Sequence, residues 1–456
     1  FFRYFVMETE QTLKGAFFFF VMDLFLLIVL SGIGLAVYKR FKSRKLGMKL
    51  TTKLRLGDNI VLYSLWLIFP LRLLAESFTA DISGGSFITK SINSLFHSFV
   101  SNPSNTLMVW WAYSSVLGLF FFTLPFSRYM HIPTEILLIV LRHAGIKATS
   151  LRDGYSEAEI YSCSRCGICI DGCPMTFDKK DVKFTSVYYI RLLRRREKAD
   201  VSAQMCLMCN KCVEICPVGI DSTGLKLINR EITNRNISFD YSSVTISEHI
   251  QKDRKVLYYG GCMTSLTPAI PSAISKILEK AKVSYSHMDK EEIICCGRPL
   301  LLSGNRKNAM ELIRKNMEII QSSGCDTLLV SCPICYKMFR EEYSLQNIRV
   351  VHHSQFIYEL VSSGRISLKR SSLSCVYHDP CELGRGSGIY EEPRRLLAGM
   401  MMVKESPQNM QESICCGGSL GSTAMPYIDR KTITKGSLDN LMSGSPDILV
   451  TSCPLC

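Results

Sequence analysis

The first 150 residues of this 456-residue chain contain no cysteine, whereas all 20 cysteines lie between Cys163 and Cys456. This absence excludes thiolate ligation and disulfide bonds from the first third of the chain. It also marks a boundary, because the same residues hold long apolar runs. The length allows about two to four domains. A single domain therefore does not account for the sequence.

Acidic residues are also fewer than basic residues in this chain. The chain has 40 Asp and Glu against 54 Lys and Arg, which gives a net charge of +14. Excess positive charge can indicate a nucleic-acid partner. Much of it flanks the apolar segments, however, where lysine and arginine set membrane orientation. We therefore expect a membrane as partner and no nucleic acid.

Three apolar segments, at about residues 15–38, 59–78 and 105–127, are long enough to cross the roughly 30 Å hydrocarbon layer. The loop after the first carries eight basic residues and one acidic residue. The positive-inside tendency places this loop in the cytoplasm, the N-terminus outside and everything after Arg128 inside. The apolar stretch after His131 is too short to span and suits an interfacial helix.

A signal peptide over residues 11–38 is the alternative, but its basic flank is C-terminal and further spans follow. Asp23 within the first segment predicts either proton or quinone chemistry or a carboxylate packed inside the bundle. His97 and His131 would lie near opposite membrane ends, so they are a poor pair for b-type haem. A helix upstream of Phe1 could supply a ligand, because the sequence does not begin with methionine.

Two runs of the form C-x2-C-x2-C-x3-C-P occupy residues 163–174 and 206–217. This spacing wraps three thiolates around one [4Fe-4S] cubane while the fourth cysteine of the run ligates the other cluster. Zinc is the alternative, although zinc sites usually use two separated pairs. The predicted ligand sets are Cys163, Cys166, Cys169 and Cys216 for one cluster, and Cys206, Cys209, Cys212 and Cys173 for the other.

The last 200 residues contain an internal repeat at offsets of 119 to 121 residues. DTLLVSCPIC aligns with DILVTSCPLC, CCGRPL with CCGGSL, and KVLYYGGC with SCVYHDPC. Apolar strand-like runs end at the cysteines and helical runs lie between them, which predicts βα units with ligands at strand ends. The cysteines of the two copies are Cys262, Cys295, Cys296, Cys332 and Cys335, and then Cys381, Cys415, Cys416, Cys453 and Cys456.

Five thiolates exceed the four that an ordinary cubane requires. The excess favours an irregular, noncubane cluster in each copy that can open a site for substrate, and we predict these ten cysteines as the catalytic site. The alternatives are a cubane with a spare cysteine, or zinc. A glycine after each paired cysteine would permit a tight backbone there. Cys325 and Cys375 lie outside the pattern and are expected to be structural.

These motifs resemble known families. The segment between the two ferredoxin-type runs is similar to the helical ferredoxin of succinate dehydrogenase iron–sulfur subunits and heterodisulfide reductases. Both five-cysteine copies resemble the CCG domain of heterodisulfide reductase catalytic subunits and of glycolate, lactate and glycerol-3-phosphate oxidoreductase subunits. In heterodisulfide reductase two complete copies hold paired noncubane [4Fe-4S] clusters that act on a disulfide. The resemblance therefore implies two cubane and two noncubane clusters in this chain.

The order of parts resembles membrane iron–sulfur oxidoreductases with a nitrate reductase gamma-like domain, including electron-transfer-flavoprotein:menaquinone oxidoreductases. LPFSRYMHI and NTLMVWWAYSSVLGL carry the membrane part of this resemblance. In relatives a histidine often follows the paired tryptophans, whereas Ala112 and Tyr113 follow Trp110 and Trp111 here. This departure argues against the haem b that the family implies.

The expected architecture is multidomain. It comprises an α-helical membrane domain (1–150), a helical dicluster ferredoxin domain (151–245) and a duplicated α/β CCG domain (250–365 and 370–456). The function expected first is electron transfer between a soluble cytoplasmic partner, such as a flavoprotein, and the membrane quinone pool. The alternatives are heterodisulfide reductase-like cleavage of a thiol disulfide and a noncatalytic relay role.

Overall fold

The computed structural model describes residues 13–46, 56–80, 85–97, 102–177, 182–234, 254–290, 294–418 and 425–456. The chain divides into two compact units. The first comprises Phe1–Val140 and Tyr161–Cys166, and the second comprises Leu141–Ile160 and Gly167–Cys456.

The N-terminal part is helical. Three stretches, Phe17–Tyr38, Leu56–Phe78 and Pro103–Phe126, are long and apolar enough to cross a membrane. They correspond to the three segments predicted from the sequence. The helices here are α1 (Leu13–Leu46), α2 (Leu56–Phe78), α3 (Phe87–Leu95), α4 (Pro103–Thr123) and α5 (His131–His143), with 3-10 turns at Leu124–Phe126 and Arg128–Met130.

Asp23 is buried and anchors the start of α3. Its carboxylate accepts hydrogen bonds from the backbone N–H groups of Ile88, at 2.9 Å, and Thr89, at 3.2 Å. The Thr89 hydroxyl donates to the same carboxylate. A helix start presents unpaired N–H groups that favour a negative partner. The structure thus supports the packing interpretation of this carboxylate.

Helix α5 is the predicted short helix after the third apolar segment. Ile136, Ile139 and Val140 on this helix are exposed. At its start, the His131 ring nitrogen Nδ1 lies 2.7 Å from the Arg128 carbonyl oxygen. The imidazole is therefore engaged with its own backbone turn.

The ferredoxin-like part consists mainly of short helices and turns. The segment between its two cysteine runs contains two helices, as the sequence predicted. The helices are α6 (Gly154–Ser162), α7 (Ile168–Asp171), α8 (Ser186–Arg194), α9 (Asp200–Gln204), α10 (Lys211–Glu214) and α11 (Ser222–Thr233), with 3-10 turns at Pro174–Thr176 and Val182–Phe184.

The duplicated part forms two parallel sheets, one for each copy. The first has the order β2-β1-β3-β4 and the second the order β6-β5-β7. Parallel strands need crossover connections, and the helical runs between the strands supply them. The strands are β1 (Val256–Tyr259), β2 (Tyr285–His287), β3 (Thr327–Val330), β4 (Arg349–His352), β5 (Ser374–His378), β6 (Met402–Val403) and β7 (Ile448–Thr451).

Helices cover these sheets, and the core of the first copy is aliphatic and aromatic. Leu257, Leu328 and Val330 on its central strands are fully buried. The helices are α12 (Ala269–Lys280), α13 (Arg298–Leu302), α14 (Arg306–Ser322), α15 (Pro333–Glu341), α16 (His353–Ser362), α17 (Gly384–Ser387), α18 (Glu391–Met400) and α19 (Tyr427–Leu441), with 3-10 turns at Thr264–Leu266, Met410–Glu412 and Met442–Gly444.

Arg230 joins the ferredoxin-like part to the first CCG copy. Its side chain is fully buried and its guanidinium donates to the carbonyl oxygens of Ala203 (2.6 Å), Cys206 (2.9 Å) and Leu302 (2.5 Å). The third carbonyl lies at the end of α13. One cation thus satisfies backbone acceptors from both parts, and the Cys206 and Leu302 carbonyls would lose this donor without it.

Replacing Arg230 with methionine should therefore destabilise the protein by about 3 kcal/mol or more, because each unsatisfied buried acceptor costs about 1–3 kcal/mol. The measurement is the thermal unfolding midpoint of the full chain in detergent. Arg306→Met is the matched control, since this half-exposed arginine makes only ion pairs of 3.7 Å. Equal midpoints for the two variants would contradict the assigned role.

Candidate functional site

The five cysteines of the first copy form a continuous chain of thiol contacts. Cys262 neighbours Cys295, Cys295 neighbours Cys296, Cys296 neighbours Cys335, and Cys335 neighbours Cys332. The sheet explains this meeting point, since Cys262 follows β1 and Cys332 follows β3 at the same edge. Parallel strands bring their carboxyl ends together, and sites form there.

The second copy repeats this arrangement in the same order. Thiol contacts run from Cys381 to Cys415, to Cys416, to Cys456 and to Cys453. The glycine after each cysteine pair has positive φ, +87° at Gly297 and +83° at Gly417. The expectation that glycine permits the tight backbone at these positions is therefore confirmed.

The two five-cysteine chains touch each other at equivalent residues. The Cys332 thiol contacts the Cys453 thiol, and both follow a central strand of their sheet. The pKa of Cys332 is lowered to about 5, chiefly because the Cys335 and Cys453 thiols donate hydrogen bonds to it. The duplicated module is thus one paired site with ten thiols.

The second copy also touches the ferredoxin-like part through Cys209 and Cys415. The pKa of Cys209 is lowered to about 6, chiefly by a hydrogen bond from the Cys415 thiol. Arg385 holds the two segments together, since its Nε donates to the Cys209 carbonyl at 2.9 Å and its Nη1 donates to the Ser413 carbonyl at 2.8 Å. The thiol contacts therefore run without a break from Cys209 to Cys262.

Four ferredoxin-type cysteines line one small cavity of about 20 Å³ together with Lys226. They are the predicted set Cys173, Cys206, Cys209 and Cys212, with Cys212 Sγ lying 3.2 Å from the Ser222 hydroxyl. Burial of Lys226 opposes its charge, but the nearby Cys206, Cys212 and Cys173 outweigh burial and raise the pKa of its ammonium. A buried cation thus faces a group of thiols that would be anionic as ligands.

The other predicted ferredoxin set divides between the two compact units. Cys163 and Cys166 belong to the first unit, and Cys169 and Cys216 belong to the second. Assembly of this set remains a prediction from the spacing of the two runs.

The donor chemistry fits iron–sulfur groups. All 20 cysteines are free thiols, and the ten in the duplicated module are grouped without a disulfide. The backbone at Gly261 lies close to these sulfurs, since a Cβ added at this glycine would lie 3.2 Å from Cys335 Sγ. Thiolate is the usual ligand of such clusters. Cys325 and Cys375 are buried outside these thiol chains.

A buried ion triad joins the two copies behind the cysteines. Glu382 of the second copy lies 3.2 Å from Arg298 and 3.3 Å from Lys337 of the first. The two cations hold the pKa of this carboxyl below its usual value against the opposing effect of burial. Removing one member of the triad would leave a buried charge without a partner, which is strongly destabilising. The triad therefore stabilises this particular packing of the two copies.

Comparisons with known proteins agree with this geometry. Residues 256–340 and 375–456 match the cysteine-rich CCG domain, and residues 159–220 match a 4Fe-4S dicluster domain. An EtfAB:quinone oxidoreductase of Syntrophomonas wolfei is 30% identical over 219 residues, which cover 45% of this chain and 30% of the relative. One of the polypeptides of the dihydromethanophenazine:CoB–CoM heterodisulfide reductase of Methanosarcina barkeri is 28% identical over 220 residues, which cover 45% and 53%.

The chain therefore contains a duplicated cysteine-rich CCG domain and a 4Fe-4S dicluster domain, and it is similar to heterodisulfide reductase and quinone oxidoreductase proteins. A further relative, one of the polypeptides of the CoM/CoB fumarate reductase of Methanothermobacter marburgensis, is 23% identical over 312 residues, covering 66% of this chain and 57% of that protein. The matches span less than two thirds of the length of each of these three relatives.

Sequence reasoning missed the polar side chains around the thiols. Lys226, Glu382 and Arg385 lie outside the cysteine motifs, and only the fold brings them to the site. Another missed residue, His378, had a detectable signal, because the alignment of the two copies places it opposite Tyr259. The local sequence contains no comparable signal for Lys226.

Lys226→Met should lower the reduction potential of the cluster expected at Cys173, Cys206, Cys209 and Cys212. A buried positive charge stabilises the reduced form of the cluster, because that form carries one more negative charge. This interaction is strong because the protein interior screens charges less than water does. The measurement is a redox titration followed by EPR. Lys198→Met, at an exposed position before α9, is the control and should leave the potential unchanged. An unchanged potential in the Lys226 variant would contradict this prediction.

Proposed function

We propose that this oxidoreductase passes electrons between a soluble cytoplasmic partner, such as an electron-transfer flavoprotein, and the membrane quinone pool. The observation that carries the proposal is the unbroken run of thiol contacts from Cys209 through the second copy to the first. Relays need closely spaced redox sites, and this order puts the second copy between the ferredoxin-like part and the first copy.

The proposed ligands are the 18 cysteines of the two motif types, holding two cubane and two noncubane [4Fe-4S] clusters. Bound clusters would supply one-electron steps. The chain buries five of these cysteines and places Lys226 and Arg385 near the thiols, and Arg385 ties two loops together by donating hydrogen bonds to backbone carbonyls; the buried cysteines are Cys296, Cys332, Cys335, Cys415 and Cys453. These charges and bonds would offset the negative charge that ligation brings into the interior.

The membrane half of the proposal depends on apolar surface. Helix α4 has no buried residue among those described, and Trp111, Phe121 and Phe122 on it are exposed. An apolar helix of this length fits the hydrocarbon layer rather than water. We propose a multi-pass anchor whose basic loop faces the cytoplasm, with the iron–sulfur domains on that side.

A heterodisulfide reductase-like reaction is the second candidate. The contact between Cys332 and Cys453 favours it, because two five-thiol sites that touch could act together on the two sulfurs of a disulfide. Both copies also have all five cysteines. The similarity to the heterodisulfide reductase of Methanosarcina barkeri supports the same candidate.

One experiment separates the candidates. The protein is purified with its bound partners, and EPR spectra are recorded after adding a disulfide, a reduced flavoprotein or a quinol. Cluster oxidation coupled to quinone supports the first proposal, whereas a signal induced by the disulfide supports the second. No change at the duplicated site with any reagent would point to a noncatalytic relay. A pyridine haemochrome spectrum of the same sample tests whether haem b is absent.

Cys415→Ser should remove one cluster's iron and interrupt electron transfer between the ferredoxin-like part and the first copy. This thiol contacts both Cys209 and Cys381, so its loss breaks the run where the ferredoxin-like part meets the second copy. Iron analysis and stopped-flow reduction measure the outcome. Cys325→Ser is the matched control, because Cys325 is buried outside the thiol chains. Equal iron loss in both variants would refute the assignment.

The anchor should keep the chain in the membrane pellet after alkaline carbonate washing, because three apolar helices cannot leave the bilayer without exposing their surface. A reporter fused after residue 456 should be active only in the cytoplasm. Release by carbonate would overturn the multi-pass proposal, and periplasmic reporter activity would overturn its orientation.

A further inference from the structure

The duplication allows each residue of one CCG copy to be compared with its counterpart in the other. Tyr259 is the last residue of β1 and His378 is the last residue of β5. In the sheets they pair with Val330 and Thr451 respectively, which are themselves counterparts. Each precedes the first cysteine of its copy by three residues. The two side chains therefore occupy the same structural position.

In the first copy this position gives no hydrogen bond to sulfur. The Tyr259 hydroxyl donates to the Ile294 carbonyl at 2.6 Å, and this uses the only donor on the side chain. The ring lies beside the thiols, because a Cβ added at Gly261 would lie 3.2 Å from Cys335 Sγ and 3.4 Å from the Tyr259 ring. The sulfurs here face aromatic carbon.

In the second copy the same position carries an imidazole directed at the thiols. His378 is 4% exposed, and its ring nitrogen, Cys416 Sγ and Cys456 Sγ all lie within 4.8 Å of one another. The ring is close enough to interact with the Cys416 thiol. A neutral imidazole has one N–H to donate, and a thiolate ligand has no hydrogen of its own. A hydrogen bond between them would therefore run from the ring to the sulfur.

We propose that His378 donates a hydrogen bond to a cysteine sulfur of the second copy and makes the cluster bound there easier to reduce than the cluster in the first copy. Hydrogen bonds to ligand sulfurs are among the factors that set cluster potentials, since they stabilise added negative charge. This inference depends on the proposed ligation by the ten CCG cysteines. It deepens that proposal by making the two duplicated sites different.

Arg385 adds to the difference in the same direction. It lies four residues after Cys381, and although burial opposes its charge, the nearby Cys209, Cys381 and Cys415 raise the pKa of its guanidinium. The residue four positions after Cys262 in the first copy is Leu266, which is exposed. The first copy has buried cations of its own, Arg298 and Lys337, but both are paired with Glu382. We expect electrons to accumulate at the second copy, next to the ferredoxin-like part.

The test uses the full chain in detergent, with EPR-monitored redox titration and selective 15N labelling of histidine. The cluster signal that disappears in Cys416→Ser is assigned to the second copy. Pulsed EPR of the unsubstituted protein should show a 15N coupling in that signal. His378→Tyr, which installs the first copy's residue, should abolish the coupling. It should also shift the reduction equilibrium about tenfold toward the oxidised form, or about 59 mV for one electron.

Tyr259→Phe is the control and should leave the second-copy potential unchanged, because it alters only the bond to the Ile294 carbonyl. A wild-type signal without 15N coupling would overturn the inference and needs no variant. An unchanged potential in His378→Tyr would overturn it as well. Retention of every cluster signal in Cys416→Ser is a different result, because it would contradict the proposed ligation itself.

Discussion

Two contacts between cysteines connect the cysteine groups of this molecule, namely Cys209 with Cys415 and Cys332 with Cys453. The first joins the ferredoxin-like part to the second CCG copy, and the second joins the two copies. Electron transfer depends steeply on separation, so groups held by touching ligands can exchange electrons directly. The surrounding structure can be understood as the framework that holds these contacts.

The framework consists of buried charge. Arg230, Arg385 and the triad around Glu382 each join segments that are distant in the sequence, and each does so through hydrogen bonds in the interior. Apolar packing alone would not fix the position of one sheet relative to the other, because the hydrophobic effect is not directional. Charged groups with several fixed partners permit only one arrangement, since any shift leaves a buried charge unpaired. This directional constraint matters where a small displacement would separate two thiols.

Much of the fold could be predicted from local pattern. The three apolar segments and the helices between the ferredoxin-type runs lie where the sequence placed them, because length and periodicity report directly on local structure. Parallel strands ending at Cys262 and Cys332 followed from the repeat and from the apolar runs before each cysteine. The role of Asp23 could not be predicted, because its partners at Ile88 and Thr89 belong to a different helix.

The sequence by itself indicated the kind of chemistry, since the spacing of two complete ferredoxin-type runs predicts iron–sulfur ligation and the duplicated five-cysteine pattern resembles the CCG domain. It also showed that the two copies have their five cysteines in the same order along the chain. Only the tertiary structure decided their order, with the second copy next to the ferredoxin-like part, and only it placed Lys226 and His378 against the thiols. The physical reason is that spacing specifies which side chains can share one cluster, whereas the packing of separate elements specifies which clusters become neighbours.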